Sequence, residues 1–315
     1  MRSRLAQGLN LTIYLGLLAL LVCLAAPLEA NQGLFWRVED SAGRELYLLG
    51  SIHLAKPDIY PLSPAITEAF DRSHRLFVEI DVTKLTPEKT LEVFRVGFNP
   101  PGIKLADQIS PETLDLLTRT PLSAPLAIFQ PMRPWMAALT VETLALAKMG
   151  YTEKFGLDGY FLGLAHQRSL PIVELETIEE QVDLFATLSP EEGELYLRAT
   201  LEEQWLEPHP MEQYMDAWKS GDAAAFYAAM EKIYTDRPEL TNLLDRVISQ
   251  RNRSLAQKLE KYFQGEGEVS FVLVGAAHLV GPEGIPTILA RLGLRVTQVG
   301  GNAAIPVSWS AAQAQ

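Results

Sequence analysis

Cysteine is nearly absent from this chain: Cys23 is the only one. It lies inside an apolar run, residues 11–26, where a bulky Val22 precedes it, a poor lipoprotein box, so no lipidation is expected. Without that run the chain has no thiol, which excludes disulfides, a cysteine nucleophile and thiolate metal sites. Histidine is scarce, with five residues, and no H-E-x-x-H occurs, so the common zincin geometry is excluded. Positive charge is also short: 27 Lys and Arg stand against 39 Asp and Glu, a net −12 at pH 7. That balance argues against a nucleic-acid partner and against electrostatic attachment to an anionic membrane surface.

The apolar run itself has a clear reading. Arg2 and Arg4 precede it, and Pro27-Leu28-Glu29-Ala30 ends in a small residue. Residues 1–30 read as a secretory signal peptide, cut after Ala30 or Ala26. The alternative is an uncleaved anchor, for which sixteen apolar residues is short. The protein is therefore expected to be exported, periplasmic or secreted, and membrane-anchored only through this segment if it is not cut. The remainder, 31–315, is expected to form a single domain.

What the chain has in place of thiols is a stretch used twice. Residues 46–57 (LYLLGSIHLAKP) and 271–282 (FVLVGAAHLVGP) both read as an apolar strand followed by G-x-x-H-L-x-x-P. Gly50 matches Gly275, His53 matches His278 and Pro57 matches Pro282. One such motif is an ordinary strand-ending turn. Two copies suggest that the histidines meet at one site.

The surrounding pattern alternates strands and helices at both ends. Strands are expected at 34–38 and 45–49 as a hairpin, then at 75–82, 171–175, 269–274 and 295–299. Ser63-Pro64, Ser110-Pro111 and the capping boxes Thr177–Glu180 and Ser189–Glu192 open helices. From about 189 to 264 the spacing is helical, with its clearest helices at 222–233 and 239–263. The predicted fold class is α/β, in the α+β sense. A central mixed sheet is built from both ends of the chain, and a large helical insertion or cap from the middle lies over it. The two G-x-x-H strands are expected side by side, with both histidines at one sheet edge.

Glu79 follows an apolar run in Phe-Val-Glu-Ile-Asp, where a buried carboxylate needs a cation or donor. His53, His278 and Glu79 together suit a divalent transition metal with an open position. The same set can also run metal-free acid–base catalysis. Glu176 and Asp81 are candidate general bases, and Arg251 is a candidate to hold Glu79, a substrate carboxylate or an oxyanion.

These residues resemble the TraB/GumN family, whose relatives include the Tiki metalloproteases and, further off, erythromycin esterase-like and ChaN-like proteins. The likeness rests on both G-x-x-H motifs, on Glu79, on Gly156-Leu157-Asp158, on Glu176-Thr177 with Gln181, and on Arg251-Asn252. It implies metal ligation by His53, Glu79 and His278, with Mn²⁺ or Co²⁺ as the ion and Zn²⁺ as a further candidate. Glu79, Glu176 and Arg251 are then the expected catalytic residues. The first functional reading is an exported metal-dependent, peptidase-like hydrolase acting on a peptide or small molecule. The alternatives are a metal-free His/Glu esterase-like hydrolase and a non-catalytic protein that binds a peptide, a metal or haem.

Overall fold

The computed structural model describes residues 30–300 apart from 123, 207–208 and 264–267. The expected signal peptide and the chain's tail lie outside the described residues. Six strands form one mixed sheet: β1 (Phe35–Glu39), β2 (Glu45–Ser51), β3 (Arg75–Val78), β4 (Ile172–Glu174), β5 (Ser270–Gly275) and β6 (Arg295–Gln298). Their order across the sheet is β4-β3-β5-β2-β1-β6. The sheet is thus built from both ends of the chain, as the strand pattern predicts.

The repeated apolar strands are neighbours. β2 and β5 pair in parallel, with Leu48 opposite Val272 and Ser51 opposite Gly275. β3 runs parallel to β5 on its other side, and β4 runs parallel to β3. Only β1 runs against this direction, between β2 and β6. Strands covered on both faces read as unbroken apolar runs, and β5 is buried from Ser270 to Val274. Phe271 sits at its centre against Phe35, Phe70 and Phe161. Its complete burial contributes about 2–3 kcal/mol.

Because β2, β3, β4 and β5 are parallel neighbours, their C-terminal ends share one edge. His53 follows β2, Glu79 follows β3, Glu176 follows β4 and His278 follows β5. β3 stops at Val78, short of the strand predicted over 75–82. The chain turns there because the Glu79 side chain is drawn to the edge and Asp81 caps the next turn, accepting from the Thr83 amide.

The helices are α1 (Pro64–Arg72), α2 (Pro87–Val96), α3 (Pro111–Arg119), α4 (Pro134–Lys148), α5 (Leu157–Gln167), α6 (Ile178–Ala186), α7 (Pro190–Glu203), α8 (Pro210–Ser220), α9 (Ala223–Asp236), α10 (Arg251–Phe263) and α11 (Ile285–Arg291). Both capping boxes form as the sequence implies. α4 and α7 share a second apolar core around Phe129, Trp135, Val141, Leu197 and Leu201. Trp218 of α8 belongs instead to the sheet's core and donates its indole N–H to the Gly50 carbonyl at 2.7 Å. The helix predicted over 239–263 is interrupted: residues 245–250 form a π-helical segment leading into α10. Such widened turns re-aim the residues that follow, here Arg251 and Asn252.

Candidate active site

Close backbone contact between the two G-x-x-H loops sets the geometry. A Cβ on Gly50 would lie 2.9 Å from the Ala276 Cα, so only glycine lets these neighbours meet. Gly156, at the entry to α5, presses on the first loop in the same way: a Cβ there would lie 2.1 Å from the His53 carbonyl oxygen. This approach brings Asp158, in the first turn of α5, to the histidine.

Asp158 Oδ2 accepts from Ser51 Oγ at 2.6 Å and lies 2.7 Å from His53 Nδ1. This hydrogen bond raises the His53 pKa to about 9 despite burial, so the ring is an imidazolium at neutral pH. About two thirds of its side-chain surface is nonetheless open to solvent. The ring therefore lines a water-accessible space walled by protein. Glu142 of α4 is close enough to feel its charge.

His278 is the opposite case. It is 3% exposed, and its Nδ1 lies 2.6 Å from Asn252 Oδ1. Asn252 Nδ2 donates to the Glu283 carbonyl at 2.7 Å, which turns its oxygen towards the ring. That oxygen can only accept, so Nδ1 carries the hydrogen and Nε2 presents a lone pair. Burial lowers the His278 pKa to about 4, and the ring is neutral.

Nε2 of His278 lies 3.7 Å from Glu79 Oε1. The same oxygen accepts the Gly275 amide at 2.6 Å, while Oε2 accepts from Gln181 Nε2 at 2.9 Å and Arg251 Nη2 at 2.8 Å. Burial opposes the charge on Glu79. His278, Arg251, His53 and the Gly275 amide outweigh it and hold the carboxyl down at about 2. Arg251 also grips Glu176, through Nε at 2.9 Å and Nη2 at 2.5 Å, and Gln181 adds a bond to Glu176 at 3.0 Å. One guanidinium thus bridges two buried carboxylates.

The structure places His53, Glu79, Glu176, Arg251 and His278 at one edge. Gln181, Asn252 and Asp158 join as their supports. Asp81 does not join: it is fully buried, but it caps its own turn and borders a different cavity. Ser51 and Glu142 are additions that sequence reasoning misses. Ser51 is an x in G-x-x-H, and Glu142 lies on a largely apolar helix remote in sequence.

The donor set fits a divalent ion in kind. It offers one ionised carboxylate, the free Nε2 of neutral His278 and, at His53, an Nε2 that becomes a donor to an ion only on losing its proton; each Nδ1 is committed to an outside partner, the usual arrangement of metal-binding histidines. In position it is less complete. Among the described residues, no three His, Cys, Asp or Glu side chains form a group that could hold a metal ion.

Fold and edge together define an α/β protein with a histidine–carboxylate centre at the C-terminal ends of parallel strands. The chain belongs to the TraB/PrgY/gumN family, whose model matches residues 34–298. It is 28% identical over 251 residues to the uncharacterized protein YbaP of Escherichia coli (strain K12), covering 78% of this chain and 88% of the relative. YbaP of Shigella flexneri, also uncharacterized, is similar to the same extent. No solved structure matches the chain.

Proposed function

We propose that this protein is a metal-dependent hydrolase, peptidase-like in its chemistry, with His53, Glu79 and His278 holding a divalent ion such as Mn²⁺, Co²⁺ or Zn²⁺. The observation that carries this reading is the matched wiring of the two rings. Each Nδ1 is tied to an outside oxygen, Asp158 or Asn252; Nε2 of His278 is free for an ion, and Nε2 of His53 would bind one by giving up its proton. When bound, such an ion polarises a carbonyl and lowers the pKa of a water molecule. The chain's own residues do the rest. Glu79 and His278 form a buried, fixed base to the site. His53 stands on the open side, where a peptide or small-molecule substrate enters. Arg251 holds Glu79 and Glu176 in place and adds positive charge to the edge. Glu176, with both oxygens engaged, acts in this scheme as a positioning group. Export through the N-terminal segment, to the periplasm or the outside, completes the proposal; no helix among the described residues is long and apolar enough to cross a membrane.

A metal-free reading is favoured by one observation: Glu79 is already neutralised by Arg251. The test therefore starts with the ion. Purified protein is titrated with Mn²⁺, Co²⁺ and Zn²⁺ by calorimetry and assayed on a peptide library. One ion per chain is expected, lost in His278→Ala and Glu79→Gln together with hydrolysis. Hydrolysis that survives chelation with no ion bound would transfer the site to the metal-free class. Product profiles unchanged in His53→Ala would leave a binding protein.

A further inference from the structure

Asp81 is the carboxylate near β3 that the histidine edge does not use. Its Oδ1 accepts from the Thr83 amide at 3.1 Å and from Thr83 Oγ1 at 2.5 Å. Its Oδ2 is buried and has no hydrogen-bond partner, although the residue is 0% exposed. A buried carboxylate oxygen without a donor is costly, so its surroundings are informative.

Asp81 lines a cavity of about 480 Å³ at the β3–β4 end of the same sheet edge, within the size range of small-molecule sites. Ile80, Leu85, Leu175, Ile178 and Tyr262 supply its apolar lining. Glu176 borders it too, while its carboxylate is held by Arg251, so this cavity lies beside the histidine centre and is distinct from it. The nearest cation to Oδ2 is Lys84 Nζ at 3.5 Å, on a side chain that is 56% exposed. The same ammonium donates to Glu174 Oε2 at 3.0 Å. The fold therefore already rests a primary ammonium between two carboxylates at this cavity. It does so with a long, flexible side chain whose ion pair with Asp81 is stretched to 3.5 Å and makes no well-aligned hydrogen bond.

We infer that this cavity binds a small ligand bearing a primary ammonium on a short apolar body. The ligand's ammonium takes the place of Lys84 Nζ between Asp81 and Glu174, and its body covers the apolar lining. Simple alkylamines and amino acids share this chemistry. Lys89, on the same cavity and engaged by Glu92 and Glu179, separates them: only a ligand with a carboxylate gains from it.

Isoamylamine, L-leucine and isocaproate have the same branched body and differ in their charged groups. Each is titrated into the full chain and followed by ligand-observed NMR and calorimetry. Isoamylamine is expected to bind saturably and isocaproate not to bind. Asp81→Asn preserves the cap on Thr83 and should weaken isoamylamine about tenfold or more. Lys84→Ala removes the resident competitor and should tighten it, which keeps the test alive if the Asp81 variant does not fold. Tighter binding of L-leucine, lost in Lys89→Ala, assigns an amino-acid ligand; equal affinity assigns a simple amine. No saturable binding of either compound below about 10 mM, or weaker binding in Lys84→Ala, overturns the inference. His53→Ala, which disables the proposed hydrolytic centre, should leave isoamylamine binding unchanged, so the two readings can fail separately.

Discussion

The two G-x-x-H loops carry matching residues in one frame, yet hold their histidines in opposite states. His53 is mostly open to solvent and charged; His278 is buried and neutral. Both leave parallel neighbouring strands, but β2 runs on to Ser51, whereas β5 ends at Gly275 and its loop turns at once into a 3-10 helix over Ala276–Leu279. The difference lies in burial, which lowers the second ring's pKa, and in what meets each Nδ1. A carboxylate from α5 meets the first, and a neutral amide from α10 meets the second. A repeated motif therefore places two imidazoles, and distant residues decide what each can do. The buried ring belongs to a fixed network with Glu79, Arg251 and Glu176, whereas the open ring faces the solvent side.

The most forceful way to break that contrast is to remove the centre of the buried half. Arg251 bridges Glu79 and Glu176, all with side chains 13% exposed or less. Arg251→Ala leaves two buried carboxylates without their cation and should destabilise the protein by about 3–5 kcal/mol, read from urea denaturation. Arg251→Lys keeps the charge but loses the forked contact, and should recover only part of the loss. A variant as stable as the parent would mean that the network is not held by this charge.

The duplicated frame is legible in the sequence, whereas the contrast between its two rings is not. Strands β2 and β5 announce themselves as apolar runs ending in glycine, and a parallel pairing then brings their histidines together. The capping boxes at Thr177 and Ser189 fix helix starts from local chemistry alone. The supports were harder to read, because Asp158 reaches His53 across 105 residues and no periodicity encodes that contact. The π-helical turn at 245–250 was hidden for a related reason. Its residues have ordinary helical spacing, and the widened turn belongs to a tertiary setting in which Arg251 and Asn252 both reach the edge. Asp81 misled because strand alternation puts it on the face of Glu79, whereas the chain leaves the strand at Val78.

The paired glycines give a second, smaller test. A Cβ on Gly50 meets the Ala276 Cα at 2.9 Å, which is backbone and cannot step aside. A Cβ on Gly275 meets Glu79 Oε1 at 3.3 Å and His278 Cδ2 at 3.4 Å, which are side-chain atoms. Gly50→Ala should therefore cost about 1–3 kcal/mol, and Gly275→Ala less. Equal losses in thermal or urea unfolding would show that the loops are packed more alike than their contacts imply.

Exchanging the partners sharpens the comparison at the level of charge. Asp158→Asn removes the carboxylate beside His53 and should bring its pKa down by about one unit or more. Asn252→Asp gives His278 a carboxylate and should raise its pKa, without exposing the ring. Histidine NMR titrations of the metal-free protein measure both. If neither ring responds, the loops themselves set the charge, and the role given to the distant partners fails.

A further expected effect is on stability against pH, and its two limbs have separate origins. The folded pKa of His53, about 9, lies above the ordinary 6.5. Its contribution is fully present below 6.5 and is lost as pH rises through about 9, because the folded state holds a proton that the unfolded chain releases earlier. His278 works the other way. Its folded pKa of about 4 lies below 6.5, so unfolding takes up a proton, and stability is lost as pH falls from 6.5 towards 4. Glu79, held near 2, adds to the acid limb below its ordinary 4.5. Urea midpoints across this range should therefore pass through a maximum near neutrality. Asp158→Asn should flatten the alkaline limb and leave the acid limb in place, because the carboxylate it removes acts on the open ring alone. Flattening of both limbs together would mean that the two histidines titrate as one unit, and the distinction between an open and a buried half of the centre would not hold.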